Sequence, residues 1–173
     1  MRRPVLTPLA TGFAAFGGFY AAALVVRRIP LLNEAISGVL RFADEGSDGW
    51  VLATTLANGL GEEIFFRGAL YAVFEEQAPV VTSTAVYAVA TATTRNPALV
   101  LAAGVMGTLF GLQRRASGGL QAPTITHLAW STLMLRYLPP LFVADSTTAA
   151  AATASSAGIR AETPAASVRY RPK

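Results

Sequence analysis

The sequence predicts an all-α fold, a polytopic transmembrane helical bundle of about five spans. Three observations lead there. Hydrophobic residues make up 53% of the 173 positions and charged residues only 14%, where a soluble domain carries about a quarter charged. Mean hydropathy is +0.44. Long apolar stretches alternate with short breaks rich in Pro, Gly and Arg.

The first stretch, residues 5–26, has no charge and lies between Arg2-Arg3 and Arg27-Arg28. It is long enough to cross a bilayer, which needs ~20 apolar residues. Ala21-Ala22-Ala23 offers a signal-peptide cleavage site as the rival reading. Signal-peptide apolar regions run only ~7–15 residues, so a retained anchor is the better reading. In "IPLLNEAISGVLRF" the apolar residues recur at helical spacing, as in a helix lying on the membrane surface. "ADEGSDG" then reads as a polar loop. Residues 1–49 are thus expected to form an anchor followed by an interfacial segment.

Trp50 opens the second apolar stretch at a position favoured by interfacial aromatics. That stretch runs to residue 74 and holds Glu62, Glu63 and Arg67. Residues 78–94, 97–113 and 116–135 are the third, fourth and fifth stretches, the last holding His127. The third and fourth are short, which implies tilt or burial within a bundle. "GTLFG" at 107–111 has the spacing of a close helix contact. "RYLPPLF" reads as a broken end, and residues 50–143 as the core. From residue 144 the chain is small, polar and Pro-containing, and is expected to form a disordered tail. Arginines on the flanking loops and in the tail place that tail in the cytoplasm by the positive-inside bias.

Composition also excludes chemistry. Cysteine is absent, so there is no disulfide framework, thiol nucleophile or thiolate metal site. The single histidine falls short of the two or three imidazoles that zinc sites usually hold. The net charge of +4 comes almost wholly from scattered arginines. That suits loops beside anionic lipid, and nucleic acid is not expected as a partner.

Three charges inside "GLGEEIFFRGAL" need an explanation, because each costs at least ~2.5–3.5 kcal/mol at bilayer depth. Glu63 and Arg67 are four apart and can pair on one face. Glu62 points about 100° away from Glu63 on an ideal helix. It is left unpaired within its segment and needs a group from another helix. His127 lies at similar depth in the fifth stretch and shares a face with Ser131. Thr84, Tyr87 and Thr91 form a polar stripe on the third. In lipid such faces should turn inward toward one another. Each feature also has a plain structural reading, since a lone His is often a packed residue and Thr commonly bonds its own i−4 carbonyl.

"GEEIFFRG" resembles the E-E-x-x-x-R motif of the CPBP intramembrane proteases, the group of CAAX prenyl endopeptidases and bacterial Abi proteins. "GTLFGLQRRASGGLQAPTITHLAWS" resembles the later region of that family, which ends in H-x-x-x-N. The resemblance spans about residues 50–135 and implies intramembrane peptide-bond hydrolysis of a membrane protein or peptide. It implies that Glu62 is the general base for water and that Glu63 and Arg67 hold the base in place. His127, helped by Ser131, would polarise the reacting oxygen. Two positions depart from the pattern. The family's middle motif F-x-x-x-H is matched by "YAVAT", which puts Thr91 in place of His, and Ser131 stands in place of Asn. Threonine cannot act as an imidazole ligand or base. Zinc is therefore a weak expectation, and water held by Glu62, Thr91 and His127 is the alternative.

Three functions are consistent with these residues: an endopeptidase, a pseudoprotease of the same fold that binds a membrane partner, and a proton- or cation-handling subunit titrating at Glu62. Alanine richness and lysine scarcity suggest a GC-rich bacterial genome and a bacterial cell membrane. Prenylated CAAX targets are not expected in that setting.

Overall fold

The computed structural model describes residues 5–45 and 47–142, whose regular elements are all helices, with no strand among them. The expected tail lies outside the described residues. Helix α1 runs Leu6–Val26, α2 Pro30–Glu45 and α3 Asp48–Glu62. A π-helix, Glu63–Leu70, continues α3 without a break and passes into α4, Tyr71–Val73. Helices α5, Pro79–Ala92, α6, Pro97–Ser117, and α7, Gln121–Tyr137, complete the bundle.

Several boundaries follow from local chemistry. Both α5 and α6 start on proline, whose missing N–H is one of the unpaired donors of a first turn. Asn96 caps α6, its side-chain oxygen accepting from the Ala98 and Leu99 amides at 3.0 and 3.2 Å. Its amide nitrogen donates to the Ala35 carbonyl of α2 at 2.6 Å, so one residue ends a loop and ties two helices. Gly118 closes α6 at φ +70°, a left-handed position that suits glycine. The expected loop "ADEGSDG" is mostly helical instead. Helix α2 extends to Glu45 and α3 begins at Asp48, leaving Ser47 as the non-helical described residue. Acidic Asp48 in the first turn of α3 favours that early start.

Helix α1 lies along α7 and α5 lies along α6, while α7 also packs on α3 and α6. The α1–α7 contact is tight. A Cβ on Gly12 would stand 3.0 Å from Ala129 Cβ, and Thr126 Oγ1 donates to the Pro8 carbonyl at 2.9 Å. The α5–α6 contact uses the predicted glycines. A Cβ on Gly107 would meet Thr84 Cγ2 at 3.0 Å, and one on Gly111 would meet Val80 Cγ1 at 2.9 Å. Beyond α7, Leu138 and Phe142 fold back onto Ala23 and Leu40 as a small buried cluster.

The bundle buries a polar cluster beside apolar residues such as Met106 and Phe110, and its outer surface is largely apolar. Glu63, Arg67, Ser83, Thr126 and His127 are buried, while Val81, Val89, Leu101 and Phe65 face outward at 68, 71, 68 and 54% exposure. A water-soluble fold does the reverse. Of the five expected spans, α1 and α6 are long and apolar enough by themselves to cross a membrane. Helix α5, with 14 residues, is about 21 Å long against a hydrocarbon core of ~30 Å. The α3–π–α4 rod carries the three charges.

Candidate active site

The site forms where α3 passes into the π-helix. Pi-helical turns are rare and often mark functional positions. Here Glu62 is the last α residue and Glu63 the first π residue. The carboxylates diverge around the helix as expected, but the flat ring of His127, brought in by α7, stands between them. Its Nδ1 is 2.9 Å from Glu63 Oε1 and its Nε2 is 3.8 Å from Glu62 Oε2. Each carboxylate therefore faces a different ring nitrogen. Close approach of α7 to α3 depends on Gly59, where a Cβ would come 3.3 Å from Leu128 and 3.5 Å from His127 Nε2.

Glu63 and Arg67 are both 0% exposed. They form the predicted i, i+4 pair, Arg67 Nη1 donating to Glu63 Oε1 at 3.2 Å. The same oxygen thus serves Arg67 and His127. An ionised carboxylate only accepts, so the contact assigns a proton to His127 Nδ1. Arg67 is held by aromatic rings on its remaining sides, with Cζ 4.8 Å from the Tyr87 centroid and 5.1 Å from that of Phe110. Such cation–π contacts stabilise a desolvated guanidinium. Phe110 also stacks on His127, with centroids 4.6 Å apart and planes 19° from parallel. One α6 ring thereby orients both the arginine and the imidazole. Arg67 Nε and Nη2 and Glu63 Oε2 find no hydrogen-bond partner among the described residues.

Glu62 differs in setting, with 24% of its side chain exposed. It was expected to lack a partner within its own segment. Asn58, one turn earlier, donates to Glu62 Oε1 at 2.8 Å, since i and i+4 share a face. From α5, Tyr87 Oη donates to Glu62 Oε2 at 2.7 Å. Both carboxylate oxygens are thus oriented by donors, and Oε2 also faces His127.

Thr91 and Ser131 lie elsewhere. Thr91 Oγ1 donates to the Tyr87 carbonyl at 2.9 Å, the ordinary bond of a threonine to its own helix. The group that α5 delivers to Glu62 is Tyr87, one turn earlier. A phenol reaches across an interhelical gap that a threonine hydroxyl does not span. Ser131 follows His127 by one turn and lines an apolar cavity of about 790 Å³ with Thr54, Thr55, Trp130, Met134 and Leu135. That cavity begins two turns before Glu62 on α3 and one turn after His127 on α7. Asn58 and Tyr87 were the polar groups whose role the sequence reading missed. The i, i+4 spacing of Asn58 from Glu62 was the available signal for one, and the placement of Tyr87 on the stripe with Thr84 and Thr91 for the other.

The residues present do not fit a resident zinc ion. Among the described residues no three His, Cys, Asp or Glu side chains gather as a ligand group. His127 Nδ1 and Glu63 Oε1 are turned to each other, and both Glu62 oxygens already accept from Asn58 and Tyr87. The chain has a single imidazole, and Glu62 is the carboxylate beside its Nε2 among the described residues, where a zinc centre takes three or four protein ligands.

The sequence was compared with known families. The family described as Type II CAAX prenyl endopeptidase Rce1-like matches residues 47–133, which include α3, the π-helix, α5, α6 and most of α7. The chain belongs to the Rce1-like family. The resemblance read from Glu62, Glu63, Arg67 and His127 led to the same group of CAAX-type intramembrane proteases. Its members are integral membrane proteins, in keeping with the two long apolar helices of this Rce1-like chain. No curated protein and no solved structure matches the chain.

Proposed function

We propose that this Rce1-like protein is an intramembrane endopeptidase in which Glu62 activates water to hydrolyse a peptide bond. The observation that carries the reading is the facing of Glu62 Oε2 and His127 Nε2 at 3.8 Å, a spacing one water molecule can bridge. Glu62 takes a proton from that water as its oxygen attacks the carbonyl carbon, and delivers the proton to the leaving amide nitrogen. Doubly protonated His127 keeps Nδ1–H on Glu63 and turns Nε2–H to the developing oxyanion. Glu63 and Arg67 position the ring and do not touch the substrate. Ser131 lines the apolar cavity, which would hold the apolar part of a membrane-associated protein near the scissile bond. Thr91 supports Tyr87 and stays outside the reaction.

The core of residues 50–143 is proposed to lie across the membrane as the greater part of a five-span bundle. The α3–π–α4 rod, α5 and α7 cross beside α1 and α6 with their polar faces inward. The composition supports a bacterial cell membrane.

The test is hydrolysis by protein reconstituted in liposomes, using a quenched fluorescent peptide with and without a lipid anchor. Glu62→Gln keeps the size of the side chain and removes its basicity. Cleavage should fall about 10²–10⁴-fold, the usual contribution of a general base. Equal rates for wild type and E62Q would overturn the reading.

A further inference from the structure

We propose that Tyr87 is a positioning residue, its hydroxyl holding the Glu62 carboxylate in line with His127 Nε2. This rests on the reading of Glu62 as the base. Tyr87 Oη donates at 2.7 Å to Oε2, the oxygen that faces the imidazole. Asn58 Nδ2 donates to the other oxygen at 2.8 Å. A glutamate with one of these donors could still swing about its terminal torsion, which is broad and roughly two-fold. With both, one from its own helix and one from α5, the carboxylate plane is set.

No other α5 group takes this place. Thr91 Oγ1 is bonded to the Tyr87 carbonyl, and Thr84 Oγ1 is buried with no hydrogen-bond partner among the described residues. The Tyr87 ring is in turn immobilised. It packs on Phe66 with centroids 4.7 Å apart and covers the Arg67 guanidinium at 4.8 Å. The ring and the hydroxyl thus have separable tasks, the ring caging Arg67 and the hydroxyl aiming Glu62. A hydroxyl missing from this point would leave Glu62 free to turn toward its exposed side.

Tyr87→Phe separates them, because the ring contacts remain and only the hydroxyl is lost. Turnover in the liposome assay should fall about tenfold to a hundredfold, as for loss of a hydrogen bond to a charged group, with KM unchanged. An activity-independent readout accompanies it. Infrared spectra of protein carrying ¹³C-labelled glutamate carboxylates should show a shifted carboxylate stretch in Y87F relative to wild type, and no such shift between E62Q/Y87F and E62Q. A Y87F enzyme that turns over at the wild-type rate while E62Q is inactive would overturn this proposal and leave the Glu62 reading standing. Absence of the infrared shift would overturn it as well. Wild type and E62Q cleaving alike would remove the base reading and the positioning role together.

Discussion

Arg67→Met tests whether the buried ion pair behaves as its geometry requires. Arg67 and Glu63 are both 0% exposed, 3.2 Å apart, and the guanidinium lies among three aromatic rings. Methionine keeps the length and apolar stem and removes the charge. Breaking such a pair from one side costs about 3–5 kcal/mol, because the remaining ion is buried without compensation. His127 Nδ1 still faces Glu63 at 2.9 Å, which sets the expectation at the lower end, about 3 kcal/mol. That is about a hundredfold in the unfolding equilibrium. The double variant E63Q/R67M removes both charges yet keeps an amide oxygen to accept from Nδ1–H. It should recover at least half the loss, since a neutral replacement of a buried pair is often tolerated. Equilibrium unfolding in mixed micelles, followed by circular dichroism, measures all three proteins. An R67M loss below about 0.5 kcal/mol, the size of an ordinary surface effect, would refute the argument. A double variant no more stable than R67M would refute it too.

Two further outcomes can be checked with the same assays. Thr91→Val should leave cleavage within about twofold of wild type, because its hydroxyl bonds only the Tyr87 carbonyl; a loss of tenfold or more would mean that residue 91 does meet the reacting water. Gly111→Ala should destabilise by about 1–3 kcal/mol, since the new methyl would stand 2.9 Å from Val80 Cγ1, so the stiff valine side chain or its helix must shift. Gly104→Ala, which meets nothing within 4 Å, is the control and should not destabilise.

Much of the bundle was legible because lipid imposes simple rules. Apolar runs bounded by arginine pairs and prolines became α1, α5 and α6, since a chain in hydrocarbon must close its own backbone hydrogen bonds. The i, i+4 pair of Glu63 and Arg67 and the opposition of Glu62 to His127 follow from spacing and depth. The loop expected at 43–49 was misread because polar composition is a weaker indicator of a break than of solvent exposure, and α2 continues to Glu45. The π-helix was invisible as well. Nothing in "EIFFRGAL" distinguishes an i→i+5 ladder from an i→i+4 one before its neighbours are packed against it.

Sequence alone determined the class of molecule: an apolar helical chain that keeps two carboxylates, an arginine and one imidazole where hydrocarbon would suit it better. Those are properties of composition and of distance along one helix. Only the tertiary structure decided which polar group on α5 meets Glu62, that Asn58 and Tyr87 share its carboxylate, that Phe110 orders both His127 and Arg67, and that Thr91 turns back to its own helix. The reason is reach. Residues on one stripe differ little in position along the sequence, but a contact between helices depends on side-chain length and on how closely glycines such as Gly59 and Gly107 let two backbones approach.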